Sequence, residues 1–336
     1  MKNHLSEFQI AYCDKSLRME INMSKVVEID GLLKEYGELT AVNRINLEIE
    51  EGEVFGLLGP NGSGKTTTIS CMLSLIPYDK GSIKIFGKNM DMKAYDIKKD
   101  IGIVLQDVAV FEELTVEENI MYFCSLYIPD KKLCKQYVEE AMEFVGIQDF
   151  RKFRPKKLSG GLLRRLNIAC GIAHKPKFII MDEPTVAVDP QSRINILEGI
   201  EKLNKQGATI LYTSHYMDEI EQICSRVAIM DKGKIIAEGT KEEIKDMIGV
   251  EEKIEIVLSE IPDSLVKRIN ENSNIKECIV QGNSIKIVSK KGKHSLNTIV
   301  NYIQEANVKI RNLTSKEPSL NDVFLEITGK ELRDNV

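Results

Sequence analysis

One stretch, Gly59-Pro60-Asn61-Gly62-Ser63-Gly64-Lys65-Thr66, constrains this chain more than any other. It fits G-x-x-x-x-G-K-[ST], a glycine loop that wraps phosphate in backbone N–H groups. Its flanks agree with that motif. Val54-Phe55-Gly56-Leu57-Leu58 is a short apolar run, as expected of a buried strand. Thr66 to Leu75 reads as a helix, with Pro77 just beyond its end. A strand, a glycine loop and a helix start together present N–H donors and a positive dipole end to an anion. Lys65 adds a charge for the β- and γ-phosphates, and the Thr66 hydroxyl can ligate Mg²⁺. The loop therefore predicts a bound nucleoside triphosphate.

Several classes are excluded at once. No run approaches the roughly 18 uninterrupted apolar residues of a membrane span, and Met1 to Glu20 lack the apolar core of a signal peptide. The seven cysteines, at 13, 71, 124, 134, 170, 224 and 278, form no C-x-x-C pair and read as reduced, structural thiols. Net charge is −5 without a long basic block, which argues against a nucleic-acid partner.

Residues 1–23 read as an appendage, because Met23-Ser24 directly precedes the first strand-like run, Val26–Ile29. Short strands follow at Leu47–Ile49, Val54–Leu58, Ser82–Phe86 and Ile101–Leu105. Thr115-Val116-Glu117-Glu118 is a capping box, and apolar residues recur at helical spacing to Tyr127. A second helix ends near Gly146, so residues 107–164 are expected to be a helical insert in an α/β domain. The alternation resumes with Phe178–Met181, a helix opened by Asp189-Pro190, and strands at Thr209–Thr213, Val227–Met230 and Lys234–Ala237. Strands alternating with helices predict a mostly parallel sheet. From about 250 the order becomes β-α-β-β-α-β, a ferredoxin-like pattern. A short amphipathic helix with Leu320, Val323, Phe324 and Ile327 on one face comes last.

Asp182 and Glu183 close the strand Phe178–Met181, where a phosphate-loop ATPase needs one carboxylate for Mg²⁺ and another to polarise water. Leu158-Ser159-Gly160-Gly161 precedes a helix that Ser159 can cap, and its glycines let a phosphate approach the backbone.

In order, Tyr36, the phosphate loop, Gln106, Leu158 to Gly161, Phe178 to Pro184, Asp189 and His215 resemble the ATP-binding cassette (ABC) ATPases over about residues 24–245. The resemblance implies a RecA-like P-loop core with a helical subdomain, followed by a small α+β domain over 250–336. It implies ATP and Mg²⁺ as cofactors. Nucleotide contacts would come from Tyr36, stacking on adenine, from Gly59, Pro60, Asn61, Gly62, Ser63, Gly64, Lys65, Thr66 and Thr67, and from Ser159, Gly160, Gly161 and Asp189. Thr66, Gln106 and Asp182 would serve the metal. Glu183, His215 and Gln106 would serve hydrolysis, with His215 reaching the γ-phosphate. Two positions depart from the commonest pattern. Leu162 stands where the signature usually continues with Gln, and Val188 precedes Asp189 where Leu is usual.

The family hydrolyses ATP as a dimer, so Ser159 of one cassette would face the triphosphate held by Lys65 of a second copy or a related chain. A transporter of this kind needs a separate membrane permease and places the ATPase on the cytoplasmic face. Val108 to Leu114, with Val110, Phe111 and Leu114, is the expected contact segment. The stretch Pro318 to Gly329 resembles the tail of type-2 exporter ATPases, which move drugs, antibiotics, lipids or ions outward. The alternatives are a soluble ABC ATPase acting on a ribosome or nucleic acid, and a small-molecule kinase. The ribosomal class usually carries two cassettes, and a kinase would leave Ser159 to Gly161 and His215 without purpose.

Overall fold

The structure is a computed structural model that describes residues 24–186, 188–247, 253–290, 295–316 and 319–328. Residues 1–23, Ala187, His294, Pro318 and Gly329 lie outside these ranges.

The chain opens with a long antiparallel pair, β1 (Lys25–Tyr36) and β2 (Leu39–Glu50). Both run well beyond the short strands expected at Val26–Ile29 and Leu47–Ile49. Register shifts follow Ile29 and Leu32, with Gly31 at φ 59 and Arg44 at φ 51. Such bulges break the alternation from which strand length is read. The chain continues through β3 (Val54–Leu58), α1 (Lys65–Met72), β4 (Lys80–Ile85), β5 (Lys88–Asn89), α2 (Tyr95–Lys98) and β6 (Ile101–Val104). The antiparallel sheet has the order β2-β1-β4-β5.

The helical insert follows as α3 (Val116–Ser125), α4 (Lys131–Val145) and the start of α5 (Gly160–Ile172). Its first helix opens as the capping box requires. The Thr115 hydroxyl accepts from the Glu118 N–H at 3.3 Å, and Glu118 accepts from the Thr115 N–H at 2.8 Å. Val116, Ile120, Cys124, Val138, Met142, Leu166 and Ala169 pack these helices into a core of their own.

Then come β7 (Phe178–Asp182), α6 (Pro190–Lys205), β8 (Thr209–Ser214), α7 (Met217–Ile223), β9 (Arg226–Asp231), β10 (Lys234–Thr240) and α8 (Lys241–Met247). The central sheet has the order β10-β9-β3-β8-β7-β6. It is parallel except for the β9–β10 hairpin, as the alternation predicts. Buried on both faces, its strands read as unbroken apolar runs.

The C-terminal unit holds β11 (Lys253–Leu258), α9 (Asp263–Asn270), β12 (Ile275–Gln281), β13 (Ser284–Ser289), α10 (Leu296–Glu305) and β14 (Ile310–Lys316). Its sheet order, β12-β13-β11-β14, is antiparallel throughout and compatible with the ferredoxin-like pattern. It encloses a separate cluster around Ile254, Ile256, Leu265, Ile285 and Ile299.

The last helix among the described residues, α11 (Leu320–Thr328), does not join that cluster. Its Leu320, Val323 and Phe324 pack with Met217, Ile220, Ile223 and Ile244 in the core of the central sheet. The Leu320 N–H donates to Glu221 Oε1 at 2.6 Å. Burying three such side chains stabilises the contact by roughly 1.5–3 kcal/mol each.

The described cysteines are all free, and all but Cys278 are buried. Burial raises the thiol pKa values of Cys71, Cys124, Cys170, Cys224 and Cys278, that of Cys71 to about 11, so these remain unreactive thiols near neutrality.

Candidate functional site

The central sheet ends its parallel strands at one edge, and the site is built there. β3 delivers the chain into the phosphate loop, and α1 begins at Lys65. The loop is held from behind by the β9–β10 turn, where the Gly233 N–H donates to the Ser63 carbonyl at 2.8 Å. Gly64 stands at φ 110, and a Cβ added there would lie 2.6 Å from the Ala41 carbonyl oxygen. Only glycine fits such a backbone.

Lys65 is nearly buried. Its Nζ donates to the carbonyls of Gly59 at 2.7 Å and Pro60 at 3.2 Å, and lies 3.6 Å from Glu183 Oε1. The Thr66 hydroxyl donates to Asp182 Oδ2 at 3.1 Å, while Thr213 donates to Asp182 Oδ1 at 2.6 Å. Asp182 is thus fixed by both neighbouring elements. Glu183 follows in a left-handed backbone, φ 49, which is uncommon for a residue with a Cβ. Its N–H donates to the Thr213 hydroxyl at 3.0 Å. His215 Nδ1 approaches Glu183 Oε2 at 3.3 Å. This imidazole contact, helped by the Lys65 charge and opposed by burial, holds the Glu183 carboxyl below the usual carboxylate range. Glu183 is therefore ionised near neutral pH. The His215 ring packs against Tyr216 at a tilted angle, centroids 4.1 Å apart, and the Arg193 guanidinium covers the Tyr216 ring at 4.5 Å.

A cleft of about 420 Å³ opens over the loop. Tyr36, Asn61, Gly62, Gly64, Lys65, Thr66, Thr67, Gln106 and Glu183 line it, together with Leu39, Thr40, Ala41, Lys232 and Gly233. Tyr36 is half exposed at its rim, with Lys34 Nζ 4.9 Å from its ring centre. The cleft can take a polyphosphate at the loop and a flat aromatic base against Tyr36. The hydroxyl and carboxylate of Thr66 and Asp182, with Gln106 on the same cleft, could hold a cation.

The remaining predicted residues gather elsewhere. None of Ser159, Gly160, Gly161 and Asp189 lines the cleft. Ser159 caps α5, accepting from the Leu162 N–H at 3.3 Å, and Asp189 caps α6, accepting from the Ser192 N–H at 2.9 Å. These two helix starts touch one another. A Cβ on Gly161 would lie 2.9 Å from Ser192 Oγ and 3.1 Å from Asp189 Oδ2. Leu162 is half-buried against the helical insert.

Two buried ions beside the site were not expected from the sequence. Glu219 accepts from Thr185, Tyr212 and Ser214 hydroxyls at 2.9, 2.8 and 2.9 Å, beneath His215. Arg164, on the buried face of α5, donates to four backbone carbonyls, those of Leu105, Gln106, Glu183 and Pro184. The one sequence signal for each was a charge placed among residues at core spacing.

Residues 42–186 match the family described as ABC transporter, and residues 239–328 match the C-terminal domain of DrrA1-3-like ATP-binding proteins. The linearmycin resistance ATP-binding protein LnrL of Bacillus subtilis (strain 168) is 38% identical over 312 residues, covering 92% of this chain and 100% of that protein. The chain belongs to the ABC transporter ATP-binding proteins. The Nod factor export ATP-binding protein I of Paraburkholderia xenovorans (strain LB400) is 32% identical to this ABC ATPase over 310 residues, covering 92% of this chain and 98% of that protein. Among solved structures, a dimeric ATP-binding cassette in a post-hydrolysis state with ADP and Pi superimposes with a TM-score of 0.59 at 26% identity. That likeness covers 64% of this chain and 98% of the other. The ABC ATPase thus binds and hydrolyses ATP as the nucleotide-handling subunit of a transporter.

Proposed function

We propose that this ABC ATPase drives export through a separately encoded membrane permease, working as a dimer around two ATP molecules. The observation that carries the dimer is the separation of its motifs. The cleft takes the phosphate loop and Glu183, with Asp182 bonded to Thr66 behind it, whereas Ser159 to Gly161 and Asp189 form a second patch outside the cleft. In the dimer, the second patch of one chain closes over the cleft of the other. The relatives named for antibiotic resistance and for Nod factor export support the outward direction.

Among the described residues, no helix is long and apolar enough to cross a membrane. In this proposal the protein sits on the cytoplasmic face of the membrane through its permease. The cassette spans about 24–245 with its helical part at about 107–164, and 250–336 holds an accessory unit. The segment Val108 to Leu114 contacts the permease. Phe111 is half exposed, packs against Tyr122 at 4.8 Å and Phe123 at 5.9 Å, and is pinned through its own N–H and carbonyl by Asn119.

In the cleft, Lys65 and the loop N–H groups hold the β- and γ-phosphates, competing with Glu183 for the Lys65 charge. Tyr36 stacks on adenine, and His215 faces the γ-phosphate. The oxygen-only set of Thr66, Asp182 and Gln106, in a cleft open to water, suits Mg²⁺. Bound there, Mg²⁺ would neutralise charge on the phosphates. Glu183 accepts a hydrogen bond from the attacking water. Water oxygen bonds to the γ-phosphorus as the bond to the β–γ bridging oxygen breaks, the water's proton passes to a phosphate oxygen, and ADP and phosphate leave. A carboxylate held ionised is suited to orienting that water rather than storing its proton.

Glu183→Gln tests the hydrolytic half. Turnover should fall by about a hundredfold or more while light scattering shows an ATP-dependent dimer; undiminished turnover removes Glu183 from the mechanism. Phe111→Asp tests the permease contact. It should release the ATPase from its co-purifying membrane partner with ATP affinity unchanged, and retention of the partner would rule the segment out.

A further inference from the structure

We propose that Arg164 is a positioning residue for hydrolysis, fixing Glu183 and the Gln106 backbone to the helix that begins with Ser159. The inference rests on the roles given above to Glu183 and Ser159.

Arg164 lies in the second turn of α5 and is 4% exposed. Its Nε donates to the Pro184 carbonyl at 2.7 Å and its NH2 to the Glu183 carbonyl. Its NH1 donates to the carbonyls of Leu105 at 2.9 Å and Gln106 at 2.6 Å. These carbonyls leave the ends of two adjacent parallel strands, β6 and β7. Past the end of a sheet such carbonyls have no ladder partner, and buried ones must find a donor elsewhere. One planar guanidinium serves both strands because its five N–H groups form a rigid fork, which a lysine ammonium cannot reproduce.

The consequence falls on Glu183. Its left-handed backbone persists only where its surroundings over-determine it. Thr213 receives its N–H, and Arg164 grips its carbonyl and the next one. The two restraints aim the Glu183 side chain at Lys65 and His215. The same guanidinium holds the backbone of Gln106, which lines the cleft. Because α5 starts at the patch that serves the partner's nucleotide, a shift of that helix reaches Glu183 and Gln106 of its own cleft. Arg164 thereby links the two nucleotides of the dimer through one chain.

A double-mutant cycle on the full-length protein tests this. Arg164→Lys keeps the charge and loses the fork. It should lower kcat by about tenfold or more with KM for ATP unchanged within about twofold. In the Glu183→Gln background, the same substitution should cost much less than it does in wild type, since its main effect passes through Glu183 and only the Gln106 contact is left to lose. Turnover near wild type in Arg164→Lys, or a full multiplicative loss on top of Glu183→Gln, would overturn the proposal. If Arg164→Lys melts too low to assay, Arg164→Gln runs the same cycle with the same two readouts. Full activity in Glu183→Gln alone would instead sink the underlying assignment of Glu183, so the two failures are separable.

Discussion

The phosphate cradle and the signature patch are both built at helix starts, yet they are built for opposite conditions. In the cradle, Lys65, Asp182 and Glu183 are buried, and each has its partners within the chain. In the patch, Ser159 and Gly160 are exposed, and their hydrogen bonding goes no further than capping α5. The cradle is organised before its ligand arrives, whereas in the proposed dimer the patch, a helix N-terminus, would gain a ligand only when the other chain brings one. Preorganised charge is worth most where water is excluded, and under the proposed dimer the patch would acquire that environment only on closure.

The largest effect expected from breaking this contrast is Lys65→Ala, which should abolish turnover, by about a thousandfold or more, and also weaken ATP binding to the isolated chain. Gly161→Ala should be milder. Its new methyl group meets Ser192 Oγ and Asp189 Oδ2, so turnover should fall by about tenfold to a hundredfold with ATP binding to the single chain intact. Mixing the two impaired proteins sharpens the contrast, because one site of the mixed dimer then has a sound cradle and a sound patch. Recovered activity on mixing supports closure between chains, and its failure would place both halves on one nucleotide.

A smaller effect separates the two regions by pH. The folded pKa of Glu183 lies below its ordinary value of 4.5, so its contribution to stability is complete above that pH and is lost as acid drives it through the folded pKa. The melting temperature of wild type should therefore approach that of Glu183→Gln as pH drops below about 4.5. Asp189 is also lowered, by the Ser192 N–H it caps, but is fully exposed. Asp189→Asn should accordingly show a weaker form of the same convergence.

The cradle was legible because its chemistry is local: strand, loop, lysine and threonine follow one another within about a dozen residues. The signature patch was legible only through the spacing of motifs far apart in the chain. Arg164 and Glu219 were not, since Arg164 bonds to carbonyls that any residue could supply and Glu219 to three hydroxyls from two other segments. Gly31 and Arg44 interrupt the alternation of the bulged β1–β2 hairpin, so the sequence pattern shows only fragments of it. Helix α11 illustrates a different limit. Its apolar stripe announced that it would be buried, but a stripe carries no address. Only the tertiary structure shows that it belongs to the central core rather than to the neighbouring sheet.

That placement bears on the order of synthesis. A nascent chain that has completed β10 and α8 holds every nucleotide motif, yet its core still lacks Leu320, Val323 and Phe324. Those side chains emerge from the ribosome only after the whole of β11 to β14. Until then, the groove formed by Met217, Ile220, Ile223 and Ile244 stays uncovered, directly behind the helix that follows His215. Helix α11, the last among the described residues, thus seals the unit that binds ATP, and an unfinished chain carries the exposed apolar surface by which chaperones and proteases distinguish incomplete proteins.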